Sequence, residues 1–296
     1  MKKARLVPII VVVVLLLVVV PNPAKAETNN SRTDLSGVKV AVYGETNNMV
    51  VSSGIALHAM FEWMNASVDY LFGDDVKAGD LEDYDILAMP GGQMGSYFAT
   101  LGNEGMDIIR EWITNGGSYF GICGGALFAA SEYALGIFNG SYALAIEGEY
   151  TLLQLTTMNV NTTCTGPDLS EIPESFDTLF WGSSYFIPDD GFEYIPLARY
   201  SEGGGPGMIA FEYQSGNLFL SSPHPEYEEG SMRDDTTEFD EFNDSDTEWN
   251  FLLQIAIWQV ESSMTYSLDT EFPLLEISII SVVAVSLVIV FYRKLR

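Results

Sequence analysis

Apolar positions along the chain change period at about residue 135. Before that point, short unbroken apolar runs alternate with stretches of helical period. VKVAVYG (Val38–Gly44) is followed by a helical pattern from about Met49 to Met64, then by SVDYLF (Ser67–Phe72). After Asp80–Asp85 come ILAMPGG (Ile86–Gly92), a helical pattern from about Glu104 to Thr114, and SYFGIC (Ser118–Cys123). Short apolar runs bounded by turn residues read as strands buried on both faces, and their alternation with helices predicts a parallel sheet covered by helices on both sides.

Beyond Leu135 the pattern loosens. TLLQLTTMNV and FDTLFWGSSYFI are strand-like, and YIPLARY, GMIAFEY and NLFLSS follow as three short strands separated by SEGGGPG and QSG. The Ser/Asp/Glu-rich stretch Glu226–Thr247 reads as a surface loop. Ser245 and Glu248 form a capping-box pair that opens a last amphipathic helix, EWNFLLQIAIWQV. Asp244, Asp246 and Glu248 lack the ligand pattern and glycine of an EF-hand, so capping explains them better than calcium.

The two ends differ from this middle. Lys2, Lys3 and Arg5 precede a 15-residue apolar run, Leu6–Val20, and the small residues Ala24 and Ala26 follow. That layout predicts a secretory signal peptide, residues 1–26. An uncleaved anchor is the alternative, for which the run is short. Phe272–Tyr292 holds one acid, Glu276, and a helix over it would be roughly 31 Å long, close to the hydrocarbon thickness of a bilayer. Arg293, Lys294 and Arg296 behind it satisfy the positive-inside rule. The expected division is a signal peptide (1–26), a linker (27–37), a globular domain (38–262), a linker (263–271), a membrane helix (272–292) and a cytoplasmic tail (293–296). The globular domain is then extracellular, on a single-pass protein of the cell membrane.

Charge narrows the partners. Residues 27–271 carry six basic against 40 acidic residues, which disfavours nucleic acid and anionic membrane surfaces. A solvated acidic face accounts for the excess. Five Asn-x-Ser/Thr sequons, at Asn29, Asn65, Asn139, Asn161 and Asn243, fit a secreted domain. The chain has two cysteines, Cys123 and Cys164, and in an oxidising compartment a single disulfide between them is one reading.

The other reading makes Cys123 a nucleophile. In SYFGICGGALFAA it stands at the carboxyl end of a predicted strand, directly before a helix, and Gly121-x-Cys123-x-Gly125 has the spacing of a nucleophile elbow. Small neighbours permit the strained turn, which aims backbone N–H groups and the helix N-terminus at the sulfur. A base is then required. His58 falls inside the first predicted helix and reads as an ordinary boundary residue. His224 follows the strand NLFLSS in PHPE, at the sheet edge where open α/β folds assemble their sites. Glu226, two residues on, is spaced to orient the imidazole, which completes a Cys-His-Glu set. Gly92, at the end of the neighbouring strand, and Gly124 are positioned to donate backbone N–H groups to an oxyanion. The motifs imply no metal and no cofactor.

MPGG, GICGG and PHPE, in this order, resemble the class I glutamine amidotransferase-like superfamily. Within it the chain is most similar to the domain at the N-terminus of some biotin-protein ligases, where PGG…Y, G-x-C-x-G-A and a late HPE recur. WGSSYF (Trp181–Phe186) is similar to a middle GxxYF segment there. The resemblance covers Val38 to Val260. It implies a flavodoxin-like three-layer α/β/α sandwich with a mostly parallel sheet. By position it also implies Cys123 as nucleophile, His224 as base, Glu226 as orienter, and Gly92 and Gly124 as oxyanion donors. The glutamine-contacting Gln that follows the nucleophile in true amidotransferases is replaced, because the run here is Cys123, Gly124, Gly125, Ala126, Leu127. Neither a synthase domain nor a biotin-ligase catalytic half is read in the sequence. Two functions remain open: a thiol hydrolase acting on a small-molecule or peptide amide, and a catalytically inactive module that binds a ligand or recruits a partner.

Overall fold

The computed structural model describes residues 32–44, 51–146, 150–228, 233–242 and 248–262. The signal peptide, the membrane helix, Asn29, Asn243 and Ser245 therefore lie outside the described residues. Among the described residues no helix is long and apolar enough to cross a membrane.

The described residues from Thr33 onward cluster as one unit. Its elements run β1 (Lys39–Tyr43), α1 (Ser52–Trp63), β2 (Ser67–Leu71), α2 (Gly73–Ala78), a 3-10 turn (Asp80–Asp83), β3 (Ile86–Met89), α3 (Met94–Thr114), β4 (Ser118–Ile122) and α4 (Gly124–Ala130). Then follow β5 (Gly140–Leu144), β6 (Leu153–Val160), β7 (Ser175–Trp181), β8 (Ser184–Pro188), β9 (Ile195–Tyr200), β10 (Pro206–Tyr213), β11 (Gly216–Ser221) and a final helix, α5, over 249–262. Nine strands form one sheet in the order β2-β1-β3-β4-β11-β10-β9-β6-β7, and β5 pairs with β8 in a separate ribbon. Pairings are parallel from β2 to β11 and antiparallel from there to β7. Seven of the nine strands thus point the same way, giving an α/β fold with a large, mostly parallel sheet, consistent with a flavodoxin-like architecture.

The unbroken apolar runs have their expected cause. In β1, Val40 and Val42 face a core shared with Leu57 and Phe61 of α1 and Leu252 and Ile255 of α5. Ala41 and Tyr43 face the opposite core, with Val76 of α2, Ile109 of α3 and Phe128 of α4. A strand covered by helices on both faces favours apolar side chains at nearly every position.

Three features were not legible in the pattern. First, α3 begins at Met94, ten residues before the expected start, and bends at Gly102, whose φ of 58° is not helical. Glycines at 95 and 102 weaken the propensity of this first half. Tertiary packing holds it: Tyr97 meets Tyr43 and Phe128 edge-on, and its hydroxyl donates to Pro90 O at 2.8 Å. Second, the antiparallel half of the sheet rolls over until the chain leaving β11 meets the edge strand β7. His224 N–H donates to Leu179 O at 2.9 Å in an isolated antiparallel bridge. The roll occupies an otherwise open sheet edge. Third, the expected surface loop Glu226–Thr247 is partly core, since Glu226, Tyr227 and Asp234 are buried. Its polar composition concealed Tyr227 and Phe239, which pack with Ala56 and Leu179.

Helix α5 runs along the sheet from the carboxyl ends of its strands toward their amino ends. Near its start, Trp249 Nε1 donates to Glu226 O at 3.0 Å. Near its end, Gln259 Nε2 donates to Tyr119 O at 2.9 Å and Gln259 O accepts from Asn217 Nδ2 at 3.1 Å, at the amino ends of β4 and β11.

Candidate active site

At the carboxyl end of β4 the chain turns into α4 through Cys123, with φ 46° and ψ −111°. A positive φ at a residue with a side chain costs on the order of 1–3 kcal/mol and persists only where the surroundings enforce it. Here they do. Cys123 N–H donates to Ser221 O at 2.7 Å, Leu127 N–H returns to Cys123 O at 2.9 Å, and Gly125 N–H donates to Pro90 O at 3.1 Å. Tyr119, fully buried beneath the turn, donates its hydroxyl to Gly125 O at 2.7 Å.

Both glycines after the cysteine are required by close approach. A Cβ on Gly124 would stand 1.9 Å from Gly92 O, and one on Gly125 would stand 2.2 Å from Met89 O. The MPGG turn therefore lies directly on the start of α4, which brings the backbones of Gly92 and Gly124 together. As the first residue of α4, Gly124 has an N–H with no carbonyl one turn behind it. Gly91 N–H is already engaged, donating to Ser53 Oγ at 2.7 Å.

His224 and Glu226 reach the same edge from beyond β11. His224 is 3% exposed, and its Nδ1 lies 2.9 Å from Glu226 Oε1. That oxygen also accepts the hydroxyl of Ser53 at 2.6 Å. The other ring nitrogen, Nε2, is buried and makes no hydrogen bond of good geometry, yet Cys123 stands close enough to bear on the ring's charge. Burial alone would lower the His224 pKa. The charges of Cys123 and Glu226, together with the hydrogen bond to Glu226, outweigh burial and hold it well above the ordinary value.

Tyr200 bounds the site on the β9 side. Its hydroxyl donates to Ser184 O at 2.8 Å, and burial foremost, with the Cys123 charge adding to it, raises its pKa. Ser222 Oγ accepts Ser184 N–H at 2.6 Å, tying β8 to the end of β11. Among the described residues no group of three or more His, Cys, Asp or Glu side chains is arranged to hold a metal ion.

Residues 81–166, which contain both the MPGG turn and the cysteine elbow, match the family model of the biotin-protein ligase N-terminal region. Over that stretch the likeness read from MPGG and GICGG is supported. A protein of Chlamydia muridarum, described only as uncharacterized, is 27% identical over 160 residues, covering 49% of this chain and 62% of its own length. The match spans less than two thirds of that relative. Among solved structures, a ThuA-like protein from Bacteroides uniformis aligns at 13% identity over 77% of this chain and 94% of its own, with a TM-score of 0.54, so the two share a fold. A glutamine amidotransferase from Thermotoga maritima aligns at 18% identity over 77% and 96%, with a TM-score of 0.47.

The biotin-protein ligase N-terminal match ends before PHPE, so the placement of His224 and Glu226 beside the elbow rests on the geometry of this chain alone. Ser53 and Trp249, which hold Glu226, escaped the sequence reading. Ser53 lies in a Ser-Ser-Gly helix start, where a capping role is the ordinary expectation, yet α1 has no side-chain cap and Ser53 turns inward. The remaining candidates fall elsewhere. His58 pairs with Glu62 at 3.5 Å and stacks on Tyr70, as a boundary residue does. Cys123 and Cys164 are both free, and Cys164 Sγ donates to Pro167 O at 3.4 Å. Of the described sequons, Asn65 spends its amide on Asp34 and Ser36, and Asn161 on Pro196 O. Asn139 is exposed.

Proposed function

We propose that this protein is a membrane-tethered, extracellular thiol hydrolase of the class I glutamine amidotransferase-like type, acting on an amide or peptide bond through a Cys123–His224–Glu226 triad. The observation that carries the reading is His224 itself. It is held by Glu226 at one nitrogen, turned toward Cys123 at the other, and its pKa is raised by both. In the proposed reaction the Cys123 thiolate attacks the carbonyl carbon, and the oxyanion takes the N–H groups of Gly92 and Gly124. The C–N bond breaks as His224 Nε2 gives its proton to the leaving amine, leaving a thioester on Cys123. Water then adds, its proton passing to His224, and the carboxylic acid departs as the thiolate is restored.

The tether is supported by the apolar stretch 272–292 with Arg293, Lys294 and Arg296 behind it.

Incubation of the purified domain with p-nitrophenyl acetate tests the reading. We expect a burst of p-nitrophenolate and one acetyl group on Cys123 by peptide mass spectrometry, both absent in Cys123→Ala. Acetylation with no preference for Cys123 would contradict it. A second reading, a partner-recruiting module without turnover, is favoured by the near-complete shielding of His224 and by Leu127 standing where amidotransferases carry a substrate-contacting Gln. Turnover by the purified domain would dismiss that reading.

A further inference from the structure

Trp181 ends β7 two residues past Leu179, the residue that the His224 backbone bridges. The rolled sheet thus delivers an indole to the triad: the Trp181 and His224 rings lie 6.2 Å apart, tilted by 37°. Phe239 braces the indole edge-on at 5.4 Å. Trp181 is nevertheless 45% exposed, beside a histidine that is 3% exposed. The chain then turns at Gly182, with φ 51°, and there the backbone of Tyr150 approaches so closely that a Cβ on Gly182 would stand 2.1 Å from its carbonyl oxygen. Tyr150 is itself 75% exposed. One exposed aromatic on an open surface needs no explanation, but an indole left 45% exposed against a nearly buried triad histidine is an apolar face beside that histidine.

We infer that Trp181 is a specificity-determining residue of the triad: its open face receives an aromatic or flat apolar group of the substrate, carried close to the scissile carbonyl. The inference rests on the thiol-hydrolase reading for its chemistry. It deepens that reading by naming the substrate class as an amide with a flat apolar substituent, in place of the polar glutamine side chain for which the contacting Gln is missing.

The test compares alkylation of Cys123 by iodoacetamide and by N-benzyl iodoacetamide, with the modified peptide quantified by mass spectrometry. In both reactions the sulfur displaces iodide and forms one S–C bond, so only the benzyl group differs. We expect the benzyl reagent to be preferred on the order of fivefold or more over the ratio shown by N-acetylcysteine, a size typical of an aromatic pair. The preference should be lost in Trp181→Ala and restored in Trp181→Phe, a pattern that a merely structural role would not produce. An unchanged ratio in Trp181→Ala overturns the inference. If Cys123 reacts with neither reagent, the thiol-hydrolase reading fails separately. Binding at this apolar face is then decided by titrating N-benzylacetamide against the indole N–H resonance that Trp181→Phe removes: a saturable shift supports it, and no shift at millimolar ligand overturns it.

Discussion

The hydroxyl of Ser53 donates to Glu226 Oε1 at 2.6 Å while its oxygen accepts the N–H of Gly91 at 2.7 Å. One side chain at the start of α1 therefore fastens the carboxylate behind His224 to the glycine turn that lies on the elbow. Ser53→Ala strips a buried carboxylate oxygen of one of its two partners and leaves the Gly91 N–H without its acceptor. We expect a loss of about 1–3 kcal/mol in urea denaturation, together with slower alkylation of Cys123, because His224 loses its fixed orienter. Retention of wild-type stability would mean that the bridge carries nothing.

The contact of the MPGG turn with α4 gives a sharper contrast. In Gly124→Ala the new methyl meets the Gly92 carbonyl, which is backbone and has nowhere to move, so we expect a cost of about 3 kcal/mol or failure to fold. In Gly91→Ala the methyl stands 2.5 Å from His224 Cε1, a side-chain atom that is able to shift. This variant should be less destabilised by denaturation, yet should lose Cys123 reactivity because the imidazole is displaced.

The limits of the sequence follow from these contacts. The parallel half of the fold was readable because strands covered on both faces are apolar along most of their length, as β1 is after Lys39 and β4 is after Ser118. The elbow was readable because only glycine fits against Gly92 O and Met89 O. Ser53 was not, because a serine at a helix start looks the same whether it caps the helix or turns inward to a carboxylate 173 residues away. Trp181 was hidden for a related reason. The roll that closes β7 onto His224 is a property of sheet twist and register, and FDTLFWGSSYFI reads the same in a flat sheet as in a rolled one.

The protonation of His224 has a definite sign. Burial lowers its pKa, and the Cys123 and Glu226 charges raise it beyond that loss, so at pH 7 the ring should be imidazolium, above the ordinary value of about 6.5. Its Cε1–H resonance is expected to remain in the protonated position through pH 7. In Cys123→Ala, with the leading raising charge removed, the titration should move downward. A wild-type ring already neutral at pH 6 would contradict this account of the site.

Glycosylation should follow amide availability. In a glycosylating host, glycopeptide mapping is expected to find Asn139 occupied ahead of Asn65 and Asn161, whose amides are held in hydrogen bonds. Full occupancy of Asn65 with Asn139 bare would show that the turn at Asn65 opens.

The central claim is that the fold arms Cys123, and its alkylation rate by iodoacetamide at pH 7, read by peptide mass spectrometry, tests that most directly. A free thiol is only a few per cent thiolate at this pH, so an imidazolium-paired sulfur should react on the order of tenfold faster than N-acetylcysteine, the gain being tempered by its lower intrinsic nucleophilicity. The account predicts that rate for Cys123, its collapse in His224→Ala, and no comparable reactivity at Cys164. A Cys123 that reacts no faster than N-acetylcysteine, or that is indifferent to His224, would contradict it.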